Sequence, residues 1–165
     1  MRDFKKLLVP TDYSELSVSA IDCAMAFSRM SGARIYLMHT LDTIPVLALQ
    51  AVDLTTEAVM SETERNARTD LHLFAVSKIG NIHDLVEVVR KGIAEEEIVK
   101  FAKEEDVDLI IMATHGRSGL SHVLMGSVAE KVIQQSPVPV LVVNPTKMRN
   151  GARSGGTVSG HPAKA

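Results

Sequence analysis

The chain is predicted to be a single-domain α/β protein, a five-stranded parallel sheet with helices on both faces. Three observations lead there. Short, almost wholly apolar runs recur along the sequence, and strands of that kind are buried on both faces of a sheet. The stretches between them repeat their apolar residues at helical spacing, so strand and helix alternate. At 165 residues, 45% of them hydrophobic, the chain can bury one ordinary core and no more.

Leu7, Leu8 and Val9 form the first strand, which Pro10 terminates. The loop Thr11, Asp12, Tyr13, Ser14, Glu15 follows. In it Asp12 and Glu15 have the spacing of a capping box for the next helix, whose apolar face carries Ala20, Ile21, Ala24 and Phe27. Ile35 to Met38 make the second strand, with Thr40 at its end. From Thr43 to Gly80 the pattern is least regular: a small and apolar first half, then Ala67, Leu71, Phe74 and Ala75 at helical spacing. This predicts a loop or short helix and then a long amphipathic helix, with Glu62, Glu64, Arg65, Arg68 and Asp70 as its solvated face.

Leu85 to Val89 are the third strand, and Ile98, Phe101 and Ala102 mark the helix after it. Leu109 to Met112 are the fourth, running into a loop that contains Thr114, His115, Gly116, Arg117, Ser118 and Gly119. Gly126 and Ser127 then open a helix with Ala129, Val132 and Ile133 on one face, and Ser127 with Glu130 again reads as a capping box. Val140 to Val143 are the fifth strand. Residues 1–145 form the domain. The tail, 146–165, becomes GARSGGTVSGHPAKA from about residue 151 and is too poor in apolar groups to offset the entropy of ordering, so it is expected to be disordered.

Composition narrows the partners. A formal charge of −2 gives neither a basic surface for nucleic acid nor a membrane-binding charge pattern. The lone Cys23 precludes an internal disulfide framework and fits a reducing compartment. No apolar run approaches the length that spans a bilayer. A soluble, cytoplasmic protein is expected.

The chemistry concentrates after the fourth strand. Glycines at a strand exit and at a helix start let backbone N–H groups approach an anion closely, and the helix start adds partial positive charge. That arrangement suits phosphate, although turns and caps use the same residues. In a doubly wound sheet, ligands sit beyond the carboxyl ends of the strands where strand order reverses. The loop at Pro10, Thr11 and Asp12 would line the same crevice if the first and fourth strands are neighbours.

Other motifs fail on context. No G-x-x-x-x-G-K pattern occurs. Ser154, Gly155, Gly156 and Ser159 are similar to an adenylating SGGxDS loop, but Val158 holds the Asp position and neither strand nor helix flanks it. His115 has no positioned carboxylate or nucleophile to make a hydrolase site, and it reads as a polar contact or a packed loop residue. Arg117 either neutralises phosphate charge or is simply solvated.

The segments PTDYSE (10–15), LMHTLD (37–42), ATHGRSGLSHVLMGSVAEKV (113–132) and PVPVLVV (137–143) closely resemble the universal stress protein family, over roughly residues 4 to 144. The family's nucleotide motif is a Gly, two residues, a second Gly, nine residues, then Gly with Ser or Thr. Gly116, Gly126 and Ser127 match it, and Ala113 stands in place of the first Gly. The resemblance implies a Rossmann-like sheet of the adenine nucleotide alpha hydrolase type, strand order 3-2-1-4-5, that binds ATP. Asp12 would contact adenine, Pro10 and Thr11 would shape the pocket, and Thr40 would lie beside the base. Met112, Ala113, His115 and Gly116 would line the ribose and phosphate side, with Gly126, Ser127, Val128 and Ala129 on the triphosphate.

Mg²⁺ or Mn²⁺ would arrive on the phosphates, with no dedicated metal cluster. The resemblance also implies a homodimer through the last strand, Val138 to Val143, and a stress-response regulator with an unspecified protein partner; the charge balance leaves nucleic acid and membrane out of the expected partners. Two alternatives stay open: a nucleotide-free dimeric interaction module of the same fold, and a slow, partner-stimulated ATPase.

Overall fold

The structure is a computed structural model that describes residues 3–42, 56–80, 84–114 and 126–144. Its elements run β1 (Lys6–Pro10), α1 (Glu15–Ser31), β2 (Arg34–Leu41), α2 (Thr56–Lys78), β3 (Leu85–Lys91), α3 (Ala94–Glu104), β4 (Leu109–Ala113), α4 (Ser127–Gln135) and β5 (Val140–Val143). Among the described residues five strands form one sheet in the order β3-β2-β1-β4-β5, and every pairing is parallel. The expected tail and the loop from Thr43 lie outside the described residues.

Strand alternation divides the core in two. Leu7 and Val9 of β1, Ile35 and Leu37 of β2, and Leu109 and Ile111 of β4 pack against Ala20, Ile21 and Ala24 of α1 and against Leu71 and Ala75 of α2. Leu8, Tyr36, Met38, Ile110 and Met112 point the other way, onto Ile98, Phe101 and Ala102 of α3 and Ala129 and Val132 of α4. Among the described residues two helices cover each face, which explains why the central strands read as unbroken apolar runs.

The edges depart from that reading. β3 lies outermost and carries Glu87, which accepts or shares a hydrogen bond with His72 Nδ1 of α2 at 3.0 Å. Its residues from Leu85 to Val88 are only half-buried, because an edge strand has a neighbour on one side. β2 and β3 also run further than expected, pairing as far as Leu41 with Lys91. Ile133 is 41% exposed and not part of the buried face of α4, since Ala129 and Val132 already fill the stripe that meets the sheet.

The charged face of α2 is an ion-pair surface as well as a solvated one. Glu64 meets Lys91 of β3 at 2.6 Å and Arg68 at 2.7 Å. Their hydrogen bonds, that of Lys91 first, lower its carboxyl from 4.5 to about 2. A lowered folded-state value contributes stability above the ordinary carboxyl range, lost as pH falls through the folded value. The melting difference between the parent and Glu64→Gln is therefore expected to be small at neutral pH, to shrink as pH falls from about 4.5 towards about 2, and to vanish below that. Thermal melts across that window test it, and a difference that grows with acid would contradict the pairing.

Candidate functional site

β1 does not stop cleanly at Pro10. The N–H of Thr11 donates to the carbonyl of Met38 at 2.8 Å, so the chain stays against β2 for one residue more. Tyr13 then takes φ +64°, a left-handed conformation uncommon outside glycine, and turns the chain into α1. Asp12 Oδ1 accepts the N–H of Ser14 at 3.0 Å, and Ser14 caps the helix by accepting the N–H of Ser17 at 3.2 Å. The expected pairing of Asp12 with Glu15 is thus replaced by Ser14 with Ser17. Asp12 uses its carboxylate to make the turn that precedes the cap.

A buried polar lattice holds this loop. The hydroxyl of Ser17 donates to the carbonyl of Ser14 at 2.7 Å. Its single hydrogen is thereby used, so in the 2.9 Å bond between Ser17 and Thr11 the donor is Thr11. Thr11 Oγ1 also accepts the N–H of Tyr13 at 3.1 Å. His39 Nδ1 lies 2.9 Å from the carbonyl of Thr11, an acceptor only, which places a proton on Nδ1. The ring of His39 stacks on Tyr13 with centroids 4.2 Å apart.

At the other side of the crevice, the N–H of Thr114 donates to Val143 at 3.0 Å, and the carbonyl of Thr114 accepts the N–H of Gly126 at 2.7 Å. That bond ties the start of α4 to the exit of β4. Gly126, not Ser127, is the N-cap, with φ −59° and ψ 143° and no side-chain cap hydrogen bond. The expected capping box of Ser127 with Glu130 does not form, because Ser127 already belongs to the first turn and Glu130 N–H bonds the Gly126 carbonyl at 3.0 Å. Ser127, Val128 and Ala129 are the first three helical residues, whose N–H groups have no acceptor within the helix.

These two ends face one pocket of about 340 Å³ at the carboxyl ends of β1, β2 and β4, a volume typical of small-molecule sites. Pro10, Thr11 and Asp12 line it from the first loop and Thr40 from the end of β2. Met112 and Ala113 line it from β4, and Gly126, Ser127, Val128 and Ala129 from the start of α4. His115, Gly116 and Arg117 lie outside the described residues. The pocket also includes Ser17, Met38, His39, Ala94, Ile98 and Thr114, which sequence reading did not select. Met38, His39 and Thr114 adjoin selected residues, whereas Ala94 and Ile98 had only their helical spacing, four apart at the start of α3, to mark them.

Among the described residues no group of three or more His, Cys, Asp or Glu side chains gathers to hold a metal ion. Nor is any helix among them long and apolar enough to cross a membrane.

Residues 3–144 match the model of the universal stress protein family. Universal stress protein MJ0577 of Methanocaldococcus jannaschii is 35% identical over 153 residues, covering 85% of this chain and 94% of that protein. Its solved structure superposes with a TM-score of 0.73 at 31% identity, covering 87% of this chain and 97% of that one. A universal stress protein of Archaeoglobus fulgidus in complex with dAMP shares the fold at 21% identity, with a TM-score of 0.57 and coverage of 86% and 98%. With the sheet order, both faces of helices and residues 3–144 matched, the chain belongs to the universal stress protein family.

Proposed function

We propose that the pocket binds ATP and that nucleotide occupancy makes the protein a cytoplasmic regulator of the stress response. The observation that carries this reading is the start of α4. Ser127, Val128 and Ala129 present N–H groups without a side-chain cap in the wall of the pocket, where the helix dipole adds to their pull on an anion. Pro10, Thr11, Asp12 and Thr40 stand at the opposite end and suit the adenosine half, with Met112 and Ala113 between. His115, Gly116 and Arg117 complete the proposed set through the family motif alone. Asp12 is the one carboxylate among the described lining residues, which fits Mg²⁺ or Mn²⁺ carried on the phosphates with few protein ligands.

Two experiments test the reading. Denaturing the purified protein should release adenine nucleotide into the supernatant, and titration calorimetry of the stripped protein should show ATP binding. A parent protein that does neither is a nucleotide-free interaction module. Steady-state ATP turnover above buffer would place it among slow ATPases.

The proposed assembly is a homodimer through Val138 to Val143. β5 pairs only with β4 among the described residues, and an apolar strand with an open edge is a pairing surface. Val142→Lys is expected to weaken the dimer at least about tenfold, read as a fall in mass by light scattering at low micromolar concentration. An unchanged mass would remove this strand from the interface.

A further inference from the structure

Among the described residues the buried polar side chains are Thr11, Ser17 and Glu95. The first two belong to the lattice that shapes the loop after β1. Glu95 lies elsewhere, in the first turn of α3, and its neighbours Ala94 and Ile98 line the pocket. Its side chain is only 11% exposed and pairs with Lys131 Nζ of α4 at 2.5 Å. A carboxylate so far out of water needs a partner. Lys131 follows the pocket-lining first turn of α4 by a few residues, so the pair links the two helices that wall the pocket.

The two helices also share an apolar cluster, to which α3 contributes Ile98, Phe101 and Ala102 and α4 Ala129 and Val132, and Glu96 of α3 adds a weaker attraction to Lys131. Apolar packing sets distance loosely along the helix axes, whereas a charge-assisted hydrogen bond has direction. We propose that Glu95 and Lys131 are positioning residues that hold the Ala94–Ile98 wall and the open helix start at Ser127–Ala129 at the spacing a bound nucleotide needs. This rests on the nucleotide reading of the pocket. The Lys131 hydrogen bond, followed by Glu95's own backbone N–H, draws the Glu95 carboxyl below its usual range, so the pair stays charged at neutral pH.

The two residues should act as a unit, unlike a lysine that touches phosphate directly. Glu95→Gln, Lys131→Met and the double variant are each expected to weaken ATP by the same factor, about fivefold or more, and adenosine by less. The double variant should be no weaker than either single one, and Lys131→Arg should stay within about twofold of the parent. Titration calorimetry with each ligand reads this.

Amide hydrogen exchange of the nucleotide-free protein gives a second readout. The hydrogen-bonded amides of the two helix starts, from Glu97 and Glu130 onward together with that of Gly126, should exchange faster in both single variants and at the parent's rate in Lys131→Arg. Loss of ATP in Lys131→Met with Glu95→Gln at the parent's affinity would overturn the positioning role in favour of direct contact with phosphate. Unchanged exchange in both singles would overturn it too. If the parent binds neither ligand, the nucleotide reading fails, and the exchange rates still decide whether the pair positions the two walls.

Discussion

Gly126→Val is expected to remain folded and to bind ATP at least about tenfold more weakly, equivalent to roughly 1.4 kcal/mol. The backbone argues for folding. At φ −59° and ψ 143° Gly126 occupies an extended conformation that valine also adopts, and its N–H and carbonyl keep their bonds to Thr114 and Glu130. The binding loss comes from space, because a branched side chain stands beside the N–H groups that the phosphates would approach. Adenosine, which has no phosphates, should lose little.

Calorimetry with Mg²⁺ present decides it: a folded Gly126→Val that binds ATP as tightly as the parent would dismiss the helix start as a phosphate site. Ser127→Ala should leave stability nearly unchanged, since the Ser127 hydroxyl is not the cap.

Ile110→Ala is expected to cost about 2–5 kcal/mol of stability. Ile110 is fully buried in β4, beside Leu8 of β1 and Val140 of β5, in the cluster that underlies α3 and α4. Deletion of its side chain leaves a cavity in a layer covered by both helices, which can collapse only in part. Urea unfolding should show the loss as a lower midpoint at unchanged slope. A cost under about 1 kcal/mol would mean that this face of the sheet is far more loosely packed than described.

The central strands were the most legible part of the sequence. Leu7, Leu8 and Val9 are apolar without alternation because both of their faces are covered, and that single fact carries most of the fold class. The edges were less legible: Glu87 interrupts β3, and the extension of β2 to Leu41 depends on pairing across the sheet that no local pattern announces. Caps were misplaced at both ends of the site. Short polar side chains can bond several nearby backbone groups, so Asp12 and Ser14 were interchangeable on paper, whereas at the other end a glycine caps without a side chain and the serine after it only resembles a cap. The residues matched by family motif line one pocket where they are described. Ala94 and Ile98 escaped notice because a wall contributed by a crossover helix is a tertiary fact.

The strand order also dictates a sequence of assembly. β1, β2 and β3 are consecutive in the chain and adjacent in the sheet, so a ribosome delivers a half-sheet that can pair as it emerges, N-terminal part first. The opposite edge of β1 must wait. Its partner begins at Leu109, and the carboxylate of Asp108, which accepts the N–H groups of Lys5 and Lys6 at 2.9 and 3.0 Å, arrives about a hundred residues after them. Until then β1 is a bare apolar template, open to any strand that reaches it. The pocket, walled by β1 on one side and α4 on the other, exists only once that late segment has docked. A nascent chain halted before β4 would therefore expose a sticky edge and hold no ligand, and a nucleotide could stabilise only the finished protein.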